Sequence, residues 1–303
     1  MKVAVASSSR LALPSVAALN DAGHEIVGAI SNPDLPSGRG QKISPNEFAR
    51  AIRSTQIPLF QPASHSELSK TLSVCNPELV VVIAYGKLIR RPELDLPAHG
   101  WINLHFSLLP KYRGAAPVQR SILDGNSETG VTVFQLDEGM DTGPIYVQER
   151  SEIGENESSG EVLDRLSHRG ASAIIRTIRM IQEGIPPHIQ NEHGSSLAPK
   201  IHKSELHIDW TRSAIEIVRQ IRAFSPSPGA WTYFRGQRYL ISRAHPCETF
   251  DLRPGQIQAN STLLVGTGAG SIEIKTLIPA GKRSMEVAQW LRGARISSDE
   301  SFE

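Results

Sequence analysis

Asn103 and His105 stand two residues apart in the run Ile102-Asn103-Leu104-His105-Phe106, each flanked by apolar neighbours. That is strand spacing, so both polar side chains leave the same face. The run then enters a loop in which Lys111 and Arg113 lie between Pro110 and Gly114. The carboxyl end of a buried strand is where open α/β sheets place their sites. Asn offers an amide donor and His a proton, the two groups a developing oxyanion requires. A lone histidine at a strand end is more often a satisfied structural side chain, so the assignment needs a second group.

That group comes from a second strand, expected at 131–136, which runs into Leu136-Asp137-Glu138-Gly139-Met140-Asp141-Thr142-Gly143. A hairpin-like return at 145–149 brings Asp141 to the same sheet edge as His105. A carboxylate beside an imidazole fixes its tautomer and favours its charged form. Ser107 has no Gly-x-Ser-x-Gly surroundings, which disfavours a serine hydrolase. The first strand leads into Ser7-Ser8-Ser9-Arg10-Leu11, with no glycine, which disfavours a nicotinamide oxidoreductase.

The positioning elements follow from apolar spacing. Strands are expected at 3–6, 25–30, 79–83 and 101–105 with helical patterns between them, the mark of a parallel, crossover-connected sheet. Ser44-Pro45-Asn46-Glu47 carries helix-start signals: a capping Ser, Pro at the first position, and Glu three residues after the cap. Residues 159–183 read as one amphipathic helix with Val162, Leu163, Leu166, Ala173, Ile174, Ile178 and Ile181 inward. From 185 to 200 the chain is polar with prolines at both ends, a linker. A helix at 213–222 and short strands at 230–234, 237–244, 262–266 and 271–277 suggest a small barrel.

At 303 residues, 39% hydrophobic and 21% charged, the chain is long enough for two globular domains. Its net charge of +1 gives no whole-chain signal for nucleic acid. Residues 205–298, however, hold twelve Lys and Arg against seven Asp and Glu, which the acidic end Asp299-Glu300-Ser301-Phe302-Glu303 partly hides. Cys75 and Cys247 are too few for a metal knuckle or a disulfide framework, so no metal is expected. The start, Met1-Lys2-Val3-Ala4-Val5-Ala6, lacks a signal-peptide layout, and no apolar run approaches membrane-spanning length. A cytoplasmic protein with no membrane partner is the expectation.

Asn103, His105, the Ser107-Leu108-Leu109-Pro110 loop and Asp141 together resemble the folate-dependent formyltransferases. The resemblance extends along nearly the whole chain. It includes Pro33-Asp34-Leu35-Pro36-Ser37-Gly38-Arg39-Gly40, Val82-Ile83-Ala84-Tyr85-Gly86, Lys111-Tyr112-Arg113-Gly114-Ala115-Ala116-Pro117, Ile208-Asp209-Trp210, Ile221-Arg222-Ala223-Phe224 and Pro279-Ala280-Gly281-Lys282-Arg283. One departure is Ser7-Ser8-Ser9, where the family carries Gly-Thr-Pro.

The resemblance implies an α/β fold: a Rossmann-like, mostly parallel catalytic sheet over 1–188, a linker over 189–204, and an OB-like β-barrel over 205–303, in a monomer. It implies transfer of a formyl group from 10-formyltetrahydrofolate to the amino group of methionine on initiator methionyl-tRNA, for translation initiation. Asn103 and His105 would serve the oxyanion, and Asp141 the charge and proton path of His105. Folate would meet Ile83, Ala84, Tyr85, Gly86, Lys87, Leu88, Ser107, Leu108, Leu109, Pro110, Leu136 and Asp137. The RNA would meet Arg39, Lys42, Lys203, Arg235, Lys282 and Arg283. A small acceptor, glycinamide ribonucleotide or a nucleotide-sugar amine, is the alternative, but it would need neither the Arg39 loop nor a basic second domain. An RNA-binding module on an inactive scaffold is disfavoured by the intact Asn103, His105 and Asp141.

Overall fold

The apolar runs of the first half become the strands β1 (Lys2–Ser7), β2 (Glu25–Ile30), β3 (Leu59–Phe60), β4 (Leu79–Ile83) and β5 (Trp101–His105) of a computed structural model. It describes residues 1–37, 42–247, 252–297 and 299–303. With β6 (Glu128–Gln135) and β7 (Ile145–Glu152) they form one seven-stranded sheet in the order β7-β6-β5-β4-β1-β2-β3. Pairing is parallel from β3 through β5 and antiparallel between β5 and β6. β4 is buried along its whole length, as a strand covered on both faces must be. Strand order reverses between β1 and β4, so the crevice beyond their carboxyl ends, and beyond β5 beside them, is the sheet's natural ligand position.

The helix Ser159–Gln182 buries Val162, Leu166, Ala173, Ile174 and Ile178, with Leu163 and Ile181 half-buried at the stripe's margin. Gly170 lets it lie close over the sheet. A Cβ there would stand 2.4 Å from a methyl of Leu104, the residue between Asn103 and His105.

By chain contacts the molecule divides into two compact units. One is Met1–Pro117, Thr129–Glu152 and Leu163–Pro199; the other is Val118–Glu128, Ile153–Val162 and Lys200–Glu303. The second unit is built on a curled antiparallel sheet: β8 (Ala230–Phe234), β9 (Gln237–Cys247), β10 (Ile257–Ala259), β11 (Leu263–Gly266), β12 (Ser271–Ile278) and β13 (Met285–Glu286). β12 pairs with β9 on one side; on the other it pairs first with β11 and then with β13. Register shifts in β9 around Arg243 give the sheet its bend. Ser213 and Glu216 form a capping box at the start of the helix Ala214–Phe224.

One local expectation changes. Asn46, not Ser44, caps the helix Glu47–Ile52, its side chain accepting from the Ala49 N–H at 2.9 Å. Ser44 instead ends a short strand, Lys42–Ser44, paired with Leu35–Ser37. The acidic end is packed rather than free. Phe302 is 3% exposed and stacked on Trp210, and Glu303 exchanges both backbone hydrogen bonds with Tyr233.

Candidate active site

Alternation along β5 turns Asn103 and His105 to one face, and both line a cleft of about 490 Å³ in the first unit. The Asn103 amide has no hydrogen-bond partner among the described residues, so it is open to a ligand. His105 is 6% exposed and set edge-on to Phe134. Its Nε2 lies 2.9 Å from the carbonyl oxygen of Tyr112. A carbonyl only accepts, so Nε2 carries the hydrogen of the neutral ring and Nδ1 is bare.

Asp141 stands across the ring, its Oδ2 3.7 Å from Nδ1. That is ion-pair range rather than a hydrogen bond, and such contacts tighten when substrates bind. The tautomer is therefore set by Tyr112, which the sequence did not suggest, and not by Asp141. Oδ2 is itself held by the Gly114 N–H at 2.7 Å. Both nitrogens thus face acceptors, so a doubly protonated ring finds a partner on each side. Tyr112 and Asp141 are left-handed, at φ 61° and 57°.

The cleft wall is the turn after β4. Ala84 and Gly86 have φ 48° and 76°, and Ala84, Tyr85, Gly86, Lys87 and Leu88 line the cleft, as do Leu136 and Asp137 from across it. Ser7-Ser8-Ser9 supports this turn. The Ser8 N–H donates to Ala84 O at 3.3 Å, and its hydroxyl accepts from Asn32 Nδ2 at 2.7 Å. Asn32, which sequence reading missed, also donates to Tyr85 O at 2.9 Å. Lys87 Nζ donates to Pro62 O, and burial pulls its ammonium pKa down. The Tyr85 hydroxyl is buried without a partner, and burial pushes it up to about 12. Asp137 accepts from Gly139 N–H and Thr142 Oγ1, which closes its loop.

Five expected residues do not line the cleft. Ile83 alternates away from Val82 and Ala84 into the core. Leu109 packs on Phe134 and Ile145, while the Ser107 hydroxyl donates to Lys111 O. Leu108 and Pro110 are half-buried elsewhere. Phe106, Gly114, Ala115, Pro117 and Met140 take their places.

Among the expected RNA contacts, Arg39 lies outside the described residues. Lys42, Lys203, Lys282 and Arg283 are exposed. Arg235 is not free: it bonds the Glu300 carboxylate and the carbonyls of Ala294 and Arg295, which ends the helix Val287–Ala294. Its guanidinium holds Glu300 down to about 2. No group of three or more His, Cys, Asp or Glu able to hold a metal occurs among the described residues, and no helix among them is long and apolar enough to cross a membrane.

The family described as formyl transferase matches residues 1–178, and the formyl transferase C-terminal domain matches residues 200–295. A methionyl-tRNA formyltransferase of Thermobifida fusca is 39% identical over 307 residues, covering 100% of this chain and 99% of the relative. That of Streptomyces coelicolor is 38% identical, with 99% of each covered. Among solved structures, HypX from Aquifex aeolicus in complex with tetrahydrofolic acid has TM-score 0.70 at 16% identity, over 96% of this chain and 46% of that one. The N-formyltransferase from Helicobacter canadensis, with folinic acid and dTDP-3-aminofucose, has TM-score 0.67 at 18% identity, over 90% of this chain and 98% of that one. These two show the fold. The two domain matches and the full-length relatives go further: the chain belongs to the formyl transferase family.

Proposed function

We propose that this protein transfers the formyl group of 10-formyltetrahydrofolate to the amino group of methionine on initiator methionyl-tRNA, in the cytoplasm. The full-length relatives of that name support the reading. The observation that carries it is the meeting of Asn103, His105 and Asp141 in one cleft with apolar walls and a strained turn beside them. A flat folate ring needs such walls and such open backbone. The folate supplies an activated formyl carbonyl.

As the neutral amine adds to the formyl carbon, negative charge gathers on the formyl oxygen. The Asn103 amide donates to it. His105 donates from Nδ1 while Nε2 stays on Tyr112, and Asp141 balances the ring's charge. The amine then loses a proton along the path beside Asp141, the bond from the formyl carbon to the folate N10 breaks, and N10 leaves protonated. Val82, Tyr85, Leu88, Leu136 and Met140 give the folate its apolar contacts, and Lys87 sits among them. Lys42, Lys203, Lys282 and Arg283 contact RNA phosphates, and Arg39 helps select the initiator RNA; Arg235 serves the fold.

The test is to incubate the protein with 10-formyltetrahydrofolate and charged initiator tRNA and to assay N-formylmethionine. Glycinamide ribonucleotide and amino-sugar nucleotides run in parallel. Turnover of either small acceptor in place of the RNA would overturn the reading.

A further inference from the structure

We propose that the segment from Gln190 to Ser196 is a strap that positions His105 by fixing the acceptors on both sides of its ring. Gln190 and Ser196 are its positioning residues. This rests on the reading of His105 as the donor to the oxyanion.

Left-handed backbone at a non-glycine residue costs on the order of 1 kcal/mol and persists only where the surroundings over-determine it. Tyr112 and Asp141 both carry that strain, and the strap touches both. The Ser196 hydroxyl accepts the Tyr112 N–H at 2.9 Å, and its carbonyl accepts the Arg113 N–H at 2.8 Å. On the other side, the Gln190 amide donates to Asp141 O at 2.9 Å and to Gly143 O at 2.7 Å.

Gln190 is 6% exposed and cannot turn freely, because its Oε1 accepts from Arg113 Nη2 at 2.7 Å. Arg113, 7% exposed, is fixed in turn by both oxygens of Glu192, at 2.9 and 3.0 Å. The strap is anchored at its ends. His188 exchanges backbone hydrogen bonds with Ile145, and Leu197–Ala198 pairs in parallel with Arg113–Gly114. At Gly114 a Cβ would come within 2.7 Å of Ala198 O, so only glycine fits here, and its N–H holds the Asp141 carboxylate. One short segment thus governs the carbonyl at Nε2 and the carboxylate at Nδ1.

The chemistry demands a donor at 190. Two carbonyl oxygens converge there, and a carboxylate of the same size offers them none. Kinetics on wild type, Gln190→Glu, Gln190→Met and Ser196→Ala therefore separate positioning from packing. Ser196 is exposed, so its variant tests the strap without disturbing a core. Each variant should lose kcat by about tenfold to a hundredfold, the scale of a misplaced catalytic group. KM for folate and for tRNA should stay within about twofold.

Histidine 15N spectra of the free proteins, with His105 assigned from the His105→Ala spectrum, supply the second readout. Wild type should show one Nε2–H tautomer, and Ser196→Ala a mixture. Wild-type kcat per folded molecule in Gln190→Glu or Ser196→Ala, or unchanged imidazole shifts throughout, would overturn the proposal. If Gln190→Glu fails to fold, Gln190→Met and Ser196→Ala still decide it. A wild type that forms no formylmethionine would sink the functional reading, while the spectra would still judge the strap.

Discussion

At the residue scale, His105 has an acceptor on each nitrogen and Asn103 has none on its amide, so one is held and the other is vacant. In the proposed mechanism both act on charge that exists mainly in the transition state. His105→Ala and Asn103→Ala should each lower kcat about a hundredfold or more, with both KM values little changed. A raised KM at normal kcat would make either residue a binding group instead. Tyr85 gives a pH-dependent expectation. Its folded pKa is raised to about 12 by burial, above that of a free phenol near 10, so its contribution to stability is intact below pH 10. Between about pH 10 and 12 the unfolded chain ionises first, and stability should fall by up to about 3 kcal/mol. Urea melts of Tyr85→Phe should lack that alkaline step and be no less stable at neutral pH, since the lost hydroxyl has no partner. Asn103 and His105 were legible because alternation is local. The Tyr112 carbonyl was not, because a backbone oxygen leaves no trace in residue type.

At the element scale, the long helix was readable because its stripe repeats over many turns, and β4 because an unbroken apolar run at that length is a covered strand. The parallel pair Arg113–Gly114 and Leu197–Ala198 was not, since two residues show no period and their partners are far apart in the chain. In Ser44-Pro45-Asn46-Glu47 two residues can cap a helix, and sequence alone favoured the wrong one. Asn46 wins because its side chain also holds Ser31, with Nδ2 2.9 Å from that hydroxyl. Phe302 was hidden among acidic neighbours, although its ring fills a core. Gly170→Val tests the packing over β5. Its branches would meet Leu104, so unfolding should need about 1–3 kcal/mol less, and kcat should fall because Leu104 lies between the two residues proposed to meet the oxyanion. An unchanged denaturation midpoint would show that the helix does not press on the strand.

At the scale of the whole molecule, net charge hid the basic second half, and only a regional count exposed it. Lys282 and Arg283 follow Pro279-Ala280-Gly281 at an exposed turn, with no ion pair to another described residue of the kind that occupies Arg235. Replacing both with Ala should weaken initiator tRNA binding and reduce its salt slope by about one unit per lost phosphate contact. Folate KM should not move. An unaltered slope in the salt titration would take this turn out of the RNA surface. Arg235→Ala should instead lower the melting temperature, because it unties Glu300 and the end of a helix.

The strap also sets an order of events during synthesis. Synthesis runs from the amino to the carboxyl end, so His105 and Asp141 leave the ribosome well before residues 190–198, which fix their geometry. Until those residues arrive, the hydrogen bonds from Gln190 and Ser196 that hold Tyr112 and Asp141 in the left-handed backbone are missing. Val118–Glu128 likewise emerges before nearly all of the unit it joins. A growing chain thus carries Asn103, His105 and Asp141 long before it carries the strap, and a ribosome stalled short of residue 190 displays a histidine whose proposed role waits on residues not yet made.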